Sequence, residues 1–156
     1  MYSNNLICDI LTYIDNNIND KIAIEDLENR FFYNRYYIMK LFKKEIGITL
    51  INYINQIRIY NSIVLIKETN NNLLNIAFKS GFYSIEYFSE TFKSVIGVNP
   101  QVVKNYLKSK KNIKTNQIDK INNSLINLYA LKQFKERYLL NRKPNILPSK
   151  KLTIFK

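Results

Sequence analysis

The chain contains no histidine and no tryptophan, and only one cysteine, three glycines and three prolines among its 156 residues. Each scarcity excludes something. Without histidine the usual general base and the commonest metal ligand are missing. A lone Cys8 forms neither an internal disulfide nor a cysteine zinc site, and reads as a small residue bordering an apolar stripe. Few Gly and Pro, with 46% hydrophobic and 13% aromatic residues, describe a folded, mainly helical chain and not a disordered or fibrous one. No phosphate-cradling glycine loop, nucleophile elbow or paired catalytic carboxylates occurs, so a non-enzyme without cofactor or metal is expected. No apolar run approaches the roughly 18 residues of a membrane span, and the start MYSNNLICDI lacks the order of a signal peptide. A cytoplasmic protein with no membrane partner is the expectation. A chain of this length has room for one domain or two very small subdomains.

What is abundant is positive charge, and it is unevenly placed. The net charge is +12, which predicts a polyanionic partner such as nucleic acid. Residues 1–105 carry eleven Lys or Arg against ten Asp or Glu, whereas residues 106–156 carry thirteen against two. The sequence therefore divides into a nearly neutral part, 1–105, and a basic C-terminal extension, 106–156.

The nearly neutral part repeats itself. Sliding the chain by fifty residues aligns FFYNRYYIMKLFKKEIG (31–47) with GFYSIEYFSETFKSVIG (81–97), with seven identical pairs from Phe32 and Phe82 to Gly47 and Gly97. In each copy Asn34 or Ser84 precedes apolar residues at helical spacing, and a Gly closes the pattern, which predicts a capped helix of about twelve residues. A shorter apolar-periodic stretch lies just upstream of each, at Ile24 to Phe31 and Leu73 to Ser80. Helix, tight turn, helix is thus written twice. Gly81 suits the second turn, while Phe32 near the corresponding place in the first implies a steric cost. Thr49 caps a segment, 50–68, with no Gly or Pro, a rod of roughly 30 Å at 1.5 Å per residue. Residues 6–18 place Ile7, Ile10, Leu11 and Ile14 on one stripe of a further helix, and Pro100 opens a short one.

These residues resemble the DNA-binding domain of AraC/XylS-type transcription regulators over roughly residues 5–105. The second half carries the more specific match, in Ile76-Ala77, Gly81-Phe82, Tyr87-Phe88, Phe92-Lys93, Gly97 and Pro100. The first supplies Phe42-Lys43-Lys44, Gly47, Tyr53 and Arg58. The resemblance implies an all-α fold of two tandem helix-turn-helix subdomains joined by a long linker helix, binding adjacent major grooves of double-stranded promoter DNA and contacting RNA polymerase. Two departures fall in the first unit. Glu28 stands where the family usually has a small residue, which implies a looser helix crossing or a side chain swung to solvent, and Phe32 stands where it often has Gly. No effector domain of the family's kind is found in the sequence, so no small-molecule effector is expected.

In such a unit the start of the second helix faces base edges. The expected base contacts are Arg35, Tyr36, Met39 and Lys40 in the first unit, and Ile85, Glu86, Ser89 and Glu90 in the second. The expected phosphate contacts are Asn34, Lys43, Lys44, Ser84 and Lys93. Arg35 or Lys40 can bond guanine O6 and N7, and Tyr36 and Met39 offer apolar contact to thymine methyls. Carboxylates facing a duplex are repelled by phosphate, although either can accept from cytosine N4. Structural roles are equally open for them: Glu86 favours the helix dipole, and Glu90 can pair with Lys93. The two units are therefore expected to be unequal, with the first anchoring on phosphate and the second adding selectivity or little. Arg58 is read as structural.

In the extension, residues 106–116 carry four lysines and no acid, and 119–140 reads as a helix ended by Pro144 and Pro148. Its stripe of Ile121, Leu125, Leu128 and Leu139 is interrupted by Lys132 and Glu136, which favours packing on the domain or a partner over a coiled coil. The extension either tracks phosphates or is a solvated linker with a small helix. The alternative to a sequence-specific regulator is a degenerate helix-turn-helix module that binds a protein and holds nucleic acid only non-specifically through its basic tail.

Overall fold

The computed structural model describes residues 2–109 and 113–142, and in them every regular element is a helix. In chain order these are α1 (Tyr2–Asn17), α2 (Ile24–Phe31), α3 (Arg35–Ile46), α4 (Leu50–Glu68), α5 (Leu73–Lys79), α6 (Ile85–Ile96), α7 (Pro100–Lys108) and α8 (Thr115–Arg142). The expected stop at Pro144 and Pro148 lies outside the described residues.

The fifty-residue period governs how the helices begin and end. Asn34 and Ser84 accept from the main-chain N–H of Tyr37 and Tyr87, three residues on, at 2.9 and 3.0 Å. Gly47 and Gly97 close α3 and α6 in the left-handed region, at φ 94° and 89°. The period then continues past the identical pairs. Thr49 caps α4 and Asn99 caps α7 in the same way, satisfying N–H groups that a helix start leaves open.

The two turns differ in a way the alignment does not show. Three residues separate α2 from α3 and five separate α5 from α6. The left-handed residue is Phe32 in the first turn, at φ 60°, and Gly81 in the second, at φ 93°. Phe32 is also 90% exposed, so its ring contributes no packing to offset a conformation that costs an L-residue about 1–2 kcal/mol. Phe32→Gly is accordingly expected to raise stability by about 1 kcal/mol, or roughly 2–4 °C in Tm for a chain of this size. Thermal unfolding checks this, and an unchanged or lower Tm would show that the turn holds no strain.

Two apolar cores result, and α4 belongs to both. Leu50, Tyr53, Ile54 and Ile57 join the α1 stripe (Ile7, Ile10, Leu11, Ile14) with Leu27, Ile38 and Phe42. Ile59, Tyr60, Ile63 and Ile66 join Ile76, Phe82, Phe88, Phe92, Ile96 and Val103. The first half of α4 thus closes one unit while its second half opens the next, as α1 opens the first.

At their junction Arg58 is nearly buried, with Nε donating to Ile18 O at 2.9 Å and a terminal nitrogen donating to Asp20 O at 2.7 Å. Burial alone pushes the guanidinium pKa down, but the two carbonyls give it partners. The structural role expected of Arg58 is the one it has.

The last helix is longer than 119–140 and crosses both units. Ile121 and Leu128 are buried in the second core, while Leu131, Tyr138 and Leu139 lie against the first. The charged interruptions of its stripe are themselves anchors. Lys132 Nζ sits 4.6 Å from the centre of the Tyr60 ring. Lys135, 6% exposed, reaches Asp15 of α1 at 2.8 Å and Glu136 at 3.2 Å. Burial opposes its charge, but the carboxylates of Asp15 and Glu136 outweigh that and hold its pKa above the usual lysine value. The ammonium therefore stays charged in the folded protein.

Candidate nucleic-acid interface

The start of α3 is held from both sides of the turn. Asn34 caps it, and Glu28, projecting from α2, accepts from the main-chain N–H of Arg35 at 2.6 Å. The same carboxylate takes Arg35 Nε at 3.3 Å and a terminal guanidinium nitrogen at 3.0 Å, and Glu25 takes that nitrogen at 3.1 Å. The hydrogen bonds from the Arg35 side chain, then from its main-chain N–H, hold the Glu28 carboxyl below the usual glutamate range, so it stays ionised through that range. Glu28 is tied to the head of α3. It reaches over the turn.

Along α3, Tyr36, Met39, Lys40, Lys43 and Lys44 are all exposed, while Ile38, Leu41 and Phe42 on the opposite side are buried. Tyr36 is 81% exposed and stands clear of the core. Beside it Tyr33 and Tyr37 stack, with ring centres 4.9 Å apart. The face expected to meet base edges is therefore one continuous surface of aromatic, thioether and ammonium groups.

The start of α6 is different in kind. Glu86, Glu90 and Lys93 are exposed, Ser84 and Ser89 are half-buried, and Ile85 packs against the second core, which leaves less of it to meet a ligand than its register suggested. Glu86 sits in the first turn of α6, where the helix dipole favours an acid. Glu90 and Lys93 do not form the ion pair their spacing allows. Glu90 instead borders a groove of about 540 Å³ between α4, α6 and α8, together with Asn52, Asn55, Gln56, Tyr87, Ser124 and Asn127. Asn55 Nδ2 donates to Tyr87 Oη across it at 2.8 Å, tying the linker helix to α6.

Sequence reasoning missed this carboxamide lining. Its signal was present in the spacing of Asn52, Asn55 and Gln56, which share one face of α4. It also missed how the tail lysines are used. Lys108 Nζ donates to Lys67 O near the C-terminus of α4 at 3.1 Å, and Lys132 and Lys135 serve the contacts of α8. Among the described residues no group of His, Cys, Asp and Glu could hold a metal ion. None of the described helices is long and apolar enough to cross a membrane.

Comparison with known proteins agrees with this geometry. A family model described as a helix-turn-helix domain matches residues 27–106, just over half of the chain. The transposon Tn10 TetD protein of Escherichia coli is 34% identical over 95 residues, covering 61% of this chain and 69% of its own length. The HTH-type transcriptional activator AarP of Providencia stuartii is 27% identical over 101 residues, covering 65% of this chain and 75% of its own. Among solved structures, the DNA-binding domain of AdpA, the global transcriptional factor, in complex with a target DNA, superposes with a TM-score of 0.61. It covers 68% of this chain and 97% of that one at 14% identity, a likeness of fold. With two capped helices on a shared linker and these relatives, the chain belongs to the AraC/XylS-type helix-turn-helix family of DNA-binding transcription regulators.

Proposed function

We propose that the protein is a sequence-specific regulator that sets α3 and α6 into successive major grooves of double-stranded promoter DNA. One observation carries this reading: two capped, solvent-facing helix starts are fixed relative to each other by a single uninterrupted helix shared between their cores. At 1.5 Å per residue α4 is about 28 Å long, a little short of the roughly 34 Å that separates successive grooves on one side of straight B-form DNA. A modest bend in the duplex closes that difference.

The units divide the work. The face of α3 carrying Tyr36, Met39 and Lys40 meets base edges, and Asn34, Lys43 and Lys44 meet phosphates. In α6, Ser84 and Lys93 are the phosphate partners, and Glu86, Ser89 and Glu90, with the edge of Ile85, supply selectivity at the cost of repulsion. The family resemblance adds RNA polymerase as a protein partner for this role.

Selection of bound genomic duplexes at physiological salt tests the reading. The expected product is an asymmetric site of two half-sites one helical turn apart. Duplexes recovered without sequence preference would overturn it in favour of a protein-binding module with general nucleic-acid affinity. The acidic start of α6 and the fully presented Phe32 ring are what favour that second reading.

A further inference from the structure

A guanidinium has five N–H donors, and guanine recognition uses two of its nitrogens as a fork on O6 and N7. In Arg35 three of the five are engaged. Nε and one N–H of the terminal pair serve Glu28, and the second N–H on that same nitrogen serves Glu25. The two donors left over sit on one nitrogen, so the fork cannot form without breaking an ion pair. Glu28 also occupies the main-chain N–H at the head of α3, where a helix start would otherwise draw a phosphate. Glu25, Glu28 and Arg35 together carry one net negative charge at that point.

We propose that Glu28, assisted by Glu25, is a positioning residue that withholds Arg35 and the α3 N-terminus from DNA. Base reading in the first unit then passes to Tyr36, Met39 and Lys40. The inference rests on the DNA-binding reading above and sharpens it. Removing the strongest guanine reader and a phosphate anchor from one helix lowers general affinity, and leaves a face suited to thymine methyls with one remaining cation. The clasp therefore trades affinity for discrimination.

The test compares wild type, Glu28→Gln, Arg35→Gln and the double variant on a duplex bearing the selected site and on a scrambled duplex of equal length. Glu28→Gln is expected to raise scrambled-duplex affinity about three- to tenfold, and to steepen the log–log salt slope by about 0.9 for each phosphate gained. The ratio of specific to non-specific affinity should fall. Arg35→Gln is expected to leave affinity within about twofold and the slope unchanged, and the double variant should lose most of what Glu28→Gln gained. A tenfold loss with a shallower slope in Arg35→Gln would overturn the proposal, because Arg35 would already be on the DNA. An unchanged slope in Glu28→Gln would do so as well.

A carboxyl titration of the free protein supplies a readout that needs no duplex. The Glu28 midpoint should lie below the ordinary glutamate range and rise toward it in Arg35→Gln, which removes the guanidinium but keeps the main-chain N–H. A normal midpoint in wild type overturns the clasp alone. Wild type that binds no duplex at any salt overturns the DNA-binding reading, and this inference falls with it even where the titration is as expected.

Discussion

Gly81→Ala is expected to destabilise the protein by about 3–5 kcal/mol, lowering Tm by roughly 10 °C. A Cβ at this position would lie 2.5 Å from Ile18 O and 2.8 Å from Arg58 Nε, against main chain on one side and a nearly buried guanidinium on the other. Three effects add. Residue 81 has φ +93°, a conformation that costs an L-residue about 1–2 kcal/mol. Overpacking against main chain costs about 1–3 kcal/mol. Pushing Arg58 off its two carbonyls forfeits charge-assisted hydrogen bonds of about 1.5–3 kcal/mol each. Gly47→Ala is the matched control, with nearly the same φ and nothing within 4 Å, and should cost only about 1 kcal/mol. Chemical unfolding of both variants decides the matter. Equal costs would mean that the second turn does not press against the first unit in solution.

The second large effect concerns α8. Leu128 is 2% exposed in the second core, and Leu128→Ala is expected to cost about 2–5 kcal/mol by lost burial and a residual cavity. The informative part is where the loss appears. Because α8 also seats Leu131, Tyr138 and Leu139 on the first core and ties Lys135 to Asp15, loosening it at Leu128 should weaken both units together. Hydrogen exchange is expected to rise in α1 as well as in α6, within a single unfolding transition. Faster exchange confined to α5 and α6 would show that the extension braces only the unit it is buried in.

Much of this architecture was legible in the residues because it is written in local chemistry. Asn34, Thr49, Ser84, Gly47 and Gly97 are start and stop signals that act within a few residues of themselves, and their fifty-residue recurrence made the two units visible together. The apolar stripe of α1 and the unbroken run of α4 were equally local. What could not be read was set by tertiary approach. Glu28 looked like a threat to helix packing because its partner, Arg35, lies seven residues on and across a turn of unknown shape. Lys132 and Glu136 looked like breaks in an apolar stripe because Tyr60, and the Asp15 that shares Lys135 with Glu136, are distant in sequence. The groove beside Glu90 exists only once three helices have met. The position of the left-handed residue also differs between the turns, Phe32 against Gly81, although the aligned letters suggest one shared geometry.

The double membership of α4 places a limit on how this chain can change. Each residue added to or taken from an α-helix turns everything beyond it by about 100° and shifts it by about 1.5 Å. A substitution in α4 alters one core locally, whereas a single deletion at its middle would swing α6 by about 100° relative to α3. The length of this helix works as a vernier between the two halves, so descendants of the chain are free to drift in its letters but not in their number.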